Sequence, residues 1–428
     1  FVHIRVNSWI NKFSVFLLNH SDITKLEAIA GGSPFYIADR QRFEANFDAL
    51  TAAFRSRYQP FTLAYSYKTN YLPYLCNIVK AKGGWAEVVS RLEYDLALKI
   101  GCDPQQIIFN GPVKTADDIA RALDGGSLLN VDSRAELDLV TDYARSRPDK
   151  EIFIGLRINI GLSDTAGRSH IQNSLKVGRF GLDPAELNKL KLENRNLKVI
   201  SLHGHTSTTD RSLWCFEVIT QTLCEIAQTC FPETVRSINI GGGFFGRMHP
   251  DMPFKDAPSF DDYADTVCGV LSRNDWVRQT QPTLLIEPGV ALVADCLSFI
   301  TRIVSVKTIR DSIFVTVDGS AFHTKPTFHG LNMPHRFIRR DPGGPTRSFD
   351  VVGGTCMEKD RLLTDIAAPL PQAGDYLRLD SIGAYTLVMT PPFIHPAPAI
   401  LVDEGDGNYK PVRKKQTLTE MFSNYIFE

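Results

Sequence analysis

The stretch A-Y-S-Y-K-T-N, residues 64–70, places a lysine directly after an alternating run of apolar and aromatic side chains. The alternation predicts a β-strand over residues 62–67, with Lys68 at its carboxyl end. A lysine on such a rigid element can hold its amine in a cavity, where desolvation lowers its pKa and makes it a better nucleophile. The alternative is a solvated lysine at a strand edge, because most lysines are exposed. The other motifs of the chain bear on this choice.

Strand-like and helix-like patterns alternate on both sides of this stretch. Asp39 can cap a helix in which Phe43, Phe47 and Phe54 recur at helical spacing. The strands predicted in this part of the chain span residues 62–67, 85–89, 107–109, 128–131, 152–158, 199–203, 235–240 and 284–286. Eight strands separated by helical or loop segments predict an α/β fold with a closed (β/α)8 barrel of the TIM type. The active site of such a barrel lies at the carboxyl ends of its strands.

The sequence changes character after Cys296, where short β-like runs are broken by proline and glycine. These runs cover residues 301–309, 312–317, 375–379 and 399–402, and they predict a separate antiparallel β domain. We expect a barrel domain over residues 35–295 and a β-sheet or β-barrel domain formed by residues 1–34 and 296–428. Within the barrel domain, residues 161–182 and 241–258 form long loops, and loops of that length are usually functional.

The composition limits the classes of function. With 428 residues, 43% hydrophobic and 22% charged, the chain resembles an ordinary globular protein with room for two domains. A formal net charge of −1 gives no reason to expect nucleic acid or a membrane surface as partner, and favours a small-molecule ligand. The apolar run at residues 13–18 is too short to span a bilayer. The eight cysteines form no C-x-x-C pair and no visible cluster with histidine, so we expect no metal site and a cytoplasmic location.

A glycine-rich segment, S-I-N-I-G-G-G-F-F-G, places Gly241, Gly243 and Gly246 in G-x-G-x-x-G spacing after a predicted strand. In dinucleotide-binding folds this motif opens a helix, but here Pro250 and Pro253 follow and disfavour one. Consecutive glycines still expose backbone N–H groups that can bind phosphate. We therefore interpret the segment as a phosphate-binding turn, with a plain tight turn as the alternative.

Two motifs at strand ends carry further candidates. His203 and His205, in L-H-G-H-T-S-T, lie on one side of an extended segment; His205 can stack on a planar ring, and we expect His203 in the core. Glu287, in I-E-P-G-V, can pair with a ring nitrogen and hold it protonated, or form an ion pair with Arg157. In the β domain, the glycine-flanked segments G-G-T-C-M-E-K-D and G-A-Y-T suit loops that meet a partner surface.

Taken together and in order, these motifs resemble the fold-type III pyridoxal 5'-phosphate (PLP) decarboxylases, the group that contains ornithine and diaminopimelate decarboxylases. The matching segments include P-F-Y-I-A-D, A-Y-S-Y-K-T-N, W-A-E-V-V-S-R-L-E, F-N-G-P-V-K-T, N-V-D-S-R-A-E-L, K-V-G-R-F-G-L, L-H-G-H-T-S, I-G-G-G-F-F-G, E-P-G, G-G-T-C and G-A-Y-T. The resemblance implies an alanine racemase-like (β/α)8 barrel, a C-terminal antiparallel β domain and PLP as cofactor. It also implies removal of the α-carboxylate of an amino acid or amino-acid conjugate.

The resemblance also implies roles for individual residues. Lys68 would form the internal aldimine with PLP, Glu87 would lie on the lysine side of the cofactor, and His205 would stack on the pyridine ring. Glu287 would keep the pyridine nitrogen protonated, which makes PLP an electron sink and allows a quinonoid intermediate. The other cofactor contacts implied are Gly241, Gly242, Gly243, Tyr385, Arg157 and Thr208.

Members of this group are homodimers whose active sites are completed by the C-terminal domain of the other subunit. The resemblance therefore implies that Cys356 reaches the partner's site, where it can return a proton to carbon. A racemase of the same fold and a non-catalytic binding relative are the alternatives. Racemases usually place an arginine on the ring nitrogen, so Glu287 and Cys356 favour decarboxylation.

Three positions depart from the pattern of the group and bear on the substrate. Val290 stands where arginine normally follows E-P-G, and Met357 stands where an acidic residue normally follows the cysteine. Lys325 stands where diaminopimelate enzymes have arginine before proline. Met357 cannot accept a hydrogen bond from a distal ammonium, although Glu358 can substitute if the loop shifts by one residue. We therefore expect that neither ornithine nor diaminopimelate is the preferred substrate.

Overall fold

The computed structural model describes residues 18–187, 194–208, 210–254, 256–326, 330–405 and 407–427. They form two compact units. The barrel unit comprises Arg42–Cys296 and Gly383–Met389. The β unit comprises Leu297–Ile382 and the described parts of residues 1–41 and 390–428.

The strands, in chain order, are β1 Phe35–Asp39, β2 Phe61–Ser66, β3 Trp85–Val88, β4 Ile107–Phe109, β5 Leu128–Val131, β6 Ile152–Arg157, β7 Leu197–His203, β8 Ser237–Asn239, β9 Thr283–Ile286, β10 Leu297–Ile309, β11 Ser312–Val317, β12 His335–Ile338, β13 Thr346–Val352, β14 Arg361–Pro369, β15 Tyr376–Leu379, β16 Ala399–Asp403 and β17 Tyr409–Arg413. The helices are α1 His20–Ala30, α2 Arg40–Arg55, α3 Pro73–Ala81, α4 Arg91–Ile100, α5 Ala116–Gly125, α6 Arg134–Arg145, α7 Pro184–Leu187, α8 Leu213–Cys230, α9 Phe260–Arg273, α10 Asp275–Thr280, α11 Val290–Val293, α12 Thr386–Met389 and α13 Leu418–Met421.

Strands β2 to β9 form a closed barrel of parallel strands, in which each strand pairs with the next and β9 pairs with β2. The predicted (β/α)8 barrel is therefore confirmed, with each strand within a few residues of its predicted bounds. Strands such as β4 are apolar at every position and buried throughout, as expected for parallel strands covered on both faces. Gly155 in β6 faces Asn130 in β5, and a Cβ at Gly155 would lie 1.9 Å from Asn130 Oδ1. Glycine at this position thus leaves room for an amide inside the barrel.

Serine and threonine caps fix where several barrel helices begin. Helices α4, α5, α6 and α9 start after Ser90, Thr115, Ser133 and Ser259, and each hydroxyl accepts a hydrogen bond from a backbone N–H of the first turn. Ser90 and Ser133 come two residues after the ends of β3 and β5, so these two connections at the carboxyl edge of the barrel are held in defined positions.

The β unit has the strand order β14-β13-β11-β10-β1-β16-β17, and β15 pairs with both β10 and β12. Most neighbours are antiparallel, as predicted, but β1 pairs with β16 and β11 pairs with β13 in parallel. We expected residues 35–295 in the barrel domain, yet β1 lies in this sheet. The reason is its burial: Phe35 and Ile37 pack in an apolar core with Ile300 and Leu401.

The segment Gly383–Met389 also departs from the expected domain ranges, because it groups with the barrel unit. The Asn70 side chain donates a hydrogen bond to the carbonyl of Gly383 (2.9 Å), just after the turn that contains Lys68. Residues 1–17 of the expected β-domain segment lie outside the described residues. Among the helices that the structure describes, none is long and apolar enough to cross a membrane.

Candidate active site

Lys68 lies at the carboxyl end of the barrel, in a 3₁₀ turn formed by Tyr67–Thr69 directly after β2. Its Nζ is 2.7 Å from Oε2 of Glu87, which is fully buried in β3. Burial lowers the pKa of Lys68, but the carboxylates of Glu87 and Glu287 outweigh burial and raise this pKa above its ordinary value. The expected lowering of the pKa is therefore wrong for this structure, and the side chain is an ammonium held by carboxylates.

Two segments from distant parts of the chain fix this lysine turn. The Ser66 N–H donates to the carbonyl of Pro288 (3.1 Å), and the Tyr385 N–H donates to the carbonyl of Thr69 (2.8 Å). A Cβ at Gly289 would lie 2.0 Å from the Thr69 hydroxyl oxygen, so glycine is required for this close approach. The E-P-G and G-A-Y-T motifs thus meet at Lys68.

A buried chain of carboxylates and amides connects Glu87 to the far side of the barrel. The Asn110 amide donates to Oε1 of Glu87 and to Oε1 of Glu287, both at 2.9 Å. Asn239 donates to the same Glu287 oxygen (2.7 Å), and Asn130 donates to the Asn110 carbonyl oxygen (2.7 Å). We call Glu87, Asn110, Glu287 and Asn239 the carboxylate–amide chain. All four side chains are buried.

Sequence reasoning missed the asparagines of this chain. Asn110 follows β4 directly, in F-N-G-P, and Asn239 ends β8, in S-I-N-I-G. A polar residue at the carboxyl end of an apolar barrel strand is the signal that could have identified them.

Glu287 is ionised in this environment. Burial raises its pKa, but His203, Lys68 and the Asn110 amide together outweigh burial and hold the pKa well below its usual range. His203 Nε2 is 3.2 Å from Oε2 of Glu287, and His203 is buried in the core as expected. Arg157 pairs with Asp132 (3.3 Å), so the alternative Glu287–Arg157 ion pair is not the contact that the structure contains.

His205 is a neutral, half-buried ring beside the carboxylate–amide chain. Burial, followed by the positive charges of Arg157 and Lys68, lowers its pKa well below the ordinary value. The Gly242 N–H donates to its Nδ1 (3.2 Å), which leaves the ring proton on Nε2. Its plane is parallel to that of His203, with ring centroids 6.5 Å apart. A neutral planar ring held in this way can stack on an aromatic ligand.

The glycine turn is packed against the same residues. Gly241 and Gly243 have φ values of 68° and 100°, and a Cβ at Gly242 would lie 2.1 Å from the carbonyl oxygen of Glu287. The turn is therefore a cradle that excludes side chains. Two of its N–H groups already donate within the protein, from Gly241 to Asn239 Oδ1 (2.9 Å) and from Gly242 to His205. Among the described residues no acceptor is found for the Gly243 N–H, which is thus the one available to an anion.

Tyr385 and Thr208 lie in the barrel unit with these residues. Tyr385 adopts a φ of 61° and its side chain is 40% exposed, so its phenol can reach a ligand. The Thr208 hydroxyl accepts a hydrogen bond from the Arg211 N–H (3.1 Å) and so shapes the loop after His205.

The remaining predicted residues belong to the β unit. Cys356, Met357 and Glu358 are exposed in the turn between β13 and β14. The buried Asp360 carboxylate fixes this turn by accepting hydrogen bonds from the Thr355 N–H (3.1 Å) and hydroxyl (2.6 Å). A thiol on a turn of this kind is available to a partner surface.

Lys325 is buried in the β unit, where its Nζ donates to the carbonyl of Leu331 at 3.4 Å. Burial lowers its pKa below the ordinary value. A lysine that carries this desolvation cost gains from an incoming anionic group.

The expectation that no cysteine clusters with a histidine is wrong for Cys215, whereas the expectation of no metal site stays a prediction. Cys215 lies in a group with His170 and Asp210 whose potential ligand atoms are within 4.8 Å of one another. The His170 ring nitrogens face Asp210 (2.8 Å) and Asp164 (3.7 Å), so the histidine lies between two carboxylates. We interpret the group as polar contacts that connect the loop after β6 to the start of α8.

Comparison with known proteins identifies the family of this chain. A family model described as "Pyridoxal-dependent decarboxylase, pyridoxal binding domain" matches residues 43–294. The chain belongs to this decarboxylase family. It is 27% identical over 428 residues to the diaminopimelate decarboxylase of Methanothermobacter thermautotrophicus, with 96% of each chain covered. It is 26% identical over 415 residues to the L-glutamyl-(BtrI acyl-carrier protein) decarboxylase of Niallia circulans, covering 92% of this chain and 94% of that protein.

Solved structures share this fold. Diaminopimelate decarboxylase from Helicobacter pylori, in complex with L-lysine, is 25% identical with a TM-score of 0.81, covering 95% of this chain and 98% of that chain. The fold of diaminopimelate decarboxylase from M. jannaschii, in co-complex with L-lysine, matches with a TM-score of 0.83 at 22% identity, covering 95% and 94%.

The family confirms the predicted cofactor and reaction class: the protein is a PLP-dependent carboxy-lyase. The residues present fit this cofactor. The lysine amine suits the aldehyde of PLP, and the neutral planar histidine ring suits stacking on its pyridine ring. The ionised buried carboxylate suits the pyridine nitrogen, and the glycine cradle suits the phosphate. When bound, PLP withdraws electrons from the α-carbon of an amino acid.

Proposed function

We propose that the barrel unit binds PLP with Lys68, His205 and Glu287, and that the enzyme removes the α-carboxylate of an amino acid or amino-acid conjugate. The carboxylate–amide chain is the observation that carries this proposal. It unites a lysine ammonium and an ionised carboxylate in one buried hydrogen-bonded network. The pairing suits a cofactor that needs an amine at one end and a carboxylate at its ring nitrogen.

Each residue then has a defined protonation role. Glu287 stays ionised and holds a proton on the pyridine nitrogen, which a neutral carboxylic acid could not do. His205 stacks as a neutral ring and brings no positive charge near that nitrogen. Lys68 must lose a proton before its amine can react, and Glu87, 2.7 Å away, is positioned to accept it.

Replacing Lys68 by alanine tests the proposal. We expect Lys68→Ala to fold, to lose the borohydride-fixed PLP adduct and to lose nearly all decarboxylation, because no other described amine occupies this turn. The measurements are the mass of the borohydride-treated protein and CO2 release from the best substrate of a panel. Lys82→Ala is the matched control, since Lys82 also pairs with a carboxylate, Asp48 (2.8 Å). An adduct that persists in Lys68→Ala would refute the assignment.

We propose that the proton donor of each active site, Cys356, comes from another copy of the chain. The exposed Cys356 thiol supports a homodimer in which each β unit supplies the acid that protonates carbon in the partner's barrel.

Mixing two inactive variants tests this sharing of sites. Lys68→Ala and Cys356→Ala should each be inactive or weak alone. Chain exchange should restore activity, because some heterodimers contain one wild-type site. Mass spectrometry confirms exchange, and each variant mixed with itself is the control. Proven exchange with no recovery of activity contradicts a shared site.

The next question is which amino acid or conjugate the enzyme decarboxylates. Most of the relatives described above are diaminopimelate decarboxylases, whereas the Niallia circulans relative is a decarboxylase of glutamate carried on an acyl-carrier protein. Three residues of this chain support the second kind of substrate. Met357 cannot accept a hydrogen bond from a distal ammonium, and Val290 brings no charge to a distal carboxylate. Lys325 presents a point charge in place of the bidentate guanidinium of an arginine. We propose a less common amino acid or a conjugate as the preferred substrate.

Steady-state kinetics on ornithine, diaminopimelate and a panel of glutamyl conjugates decide this point. Ornithine and diaminopimelate should be poor substrates, and Met357→Glu should raise kcat/KM for diaminopimelate by roughly tenfold or more, since a charge-assisted hydrogen bond is restored. Met357→Leu is the control, because it changes shape but adds no acceptor. A wild-type kcat/KM above about 10⁴ M⁻¹s⁻¹ for either ornithine or diaminopimelate would contradict the proposed substrate preference.

A further inference from the structure

We infer that Arg211 supplies the positive charge that binds the cofactor phosphate at the glycine turn. This inference rests on the proposed function, because it assumes that the turn formed by Gly241, Gly242 and Gly243 faces that phosphate. It assigns a role to an arginine that none of the motifs in the sequence pointed to.

Arg211 is attached to the end of the glycine turn. Its guanidinium lies over the ring of Phe245, 4.9 Å from the ring centroid. Phe245 comes two residues after Gly243 in the chain. The Tyr263 hydroxyl connects the two backbones, since it accepts from the Phe245 N–H (3.3 Å) and donates to the Arg211 carbonyl (2.8 Å). The guanidinium is therefore held beside the turn by a ring and a bridging phenol.

The Arg211 guanidinium has no counter-ion among the residues that the structure describes. Among the described residues, no carboxylate forms an ion pair with Arg211, and no hydrogen-bond acceptor is found for its side chain. Burial lowers its pKa, and the phenols of Tyr385 and then Tyr263 oppose that shift without cancelling it. A partly buried, unneutralised arginine is costly, and an anion that binds it recovers that cost. The influence of Tyr385 also locates the charge near the segment that contacts the Lys68 turn.

The glycine turn needs such a charge. The N–H groups of Gly241 and Gly242 already donate to Asn239 and His205, which leaves the Gly243 N–H for a ligand. One N–H group cannot balance a phosphate dianion. The planar fork of an arginine can donate two parallel hydrogen bonds to phosphate oxygens, with a full positive charge.

The backbone at Arg211 is strained in a way that fits this role. Its φ of 49° lies in the left-handed region, which a residue with a Cβ adopts at a cost. The Arg211 N–H donates to the Thr208 hydroxyl, and this contact holds the strained turn. Strain of this kind is retained where a side chain must point in one direction.

The test compares PLP with pyridoxal, which lacks the phosphate. Apoenzyme of the full chain is titrated with each compound, and dissociation constants are read from absorbance. Arg211→Gln should weaken PLP binding at least tenfold, about 1.4 kcal/mol, and leave pyridoxal binding unchanged. Arg211→Lys should fall between Arg211→Gln and wild type, because it keeps the charge but not the fork.

The matched control is Arg236→Gln. Arg236 also lies over an aromatic ring, that of Phe153 (5.5 Å), but it precedes β8 and so belongs to the amino-terminal end of the barrel. It should bind PLP as wild type does. Equal losses for PLP and pyridoxal in Arg211→Gln, or unchanged PLP binding, would overturn the inference. If Arg211→Gln does not fold, Arg211→Lys gives the same comparison. Wild-type apoenzyme that binds neither compound at Lys68 would instead overturn the proposed function.

Discussion

The active end of this barrel depends on two buried carboxylates whose oxygens are satisfied by hydrogen bonds. Glu87 and Glu287 are both buried, and an unpartnered buried carboxylate is too costly to remain charged. Asn110 resolves this problem by donating one amide hydrogen to each of them, while Asn239 adds a second donor to Glu287. The network places negative charge at defined points of the barrel and connects strands β3, β4, β8 and β9 at their carboxyl ends.

The chemistry of Lys68 follows from this arrangement of charge. Burial alone would favour a free amine, but two nearby carboxylates reverse the direction of its pKa shift. In the proposed mechanism, Lys68 rests as an ammonium, and its proton would pass to Glu87, 2.7 Å away, before the amine reacts. The backbone of the E-P-G segment also holds the turn in place, because the Pro288 carbonyl accepts the Ser66 N–H and Gly289 packs on Thr69. Electrostatics and backbone packing therefore act on one turn.

Sequence reasoning predicted the architecture well, because apolar barrel strands buried on both faces differ visibly from the helices between them. It predicted Lys68 and Glu287 at the carboxyl ends of barrel strands, and both follow the ends of β2 and β9 closely. It did not predict the Asn110–Glu287 contact, which joins residues 177 positions apart and depends on the closure of the barrel. The direction of the Lys68 pKa shift was wrong for the same reason, since it depends on which side chains surround the amine in space. The residue pattern also could not show that the N–H groups of Gly241 and Gly242 already donate hydrogen bonds within the protein.

The most direct test of this account compares the free energy of unfolding of Asn110→Leu with that of the wild type as a function of pH. At pH 7 the loss should be about 3–6 kcal/mol, since two hydrogen bonds to charged groups disappear. The pKa of Glu287 is depressed in the folded state, so its stabilising contribution is present above the ordinary value of 4.5 and is lost as pH falls towards the folded-state value. The penalty of Asn110→Leu should therefore shrink in acid. Asn194→Leu, which removes a single bond to the carbonyl of Thr141, is the control and should cost little at either pH. An Asn110→Leu penalty no larger than that of Asn194→Leu at pH 7 would contradict the account.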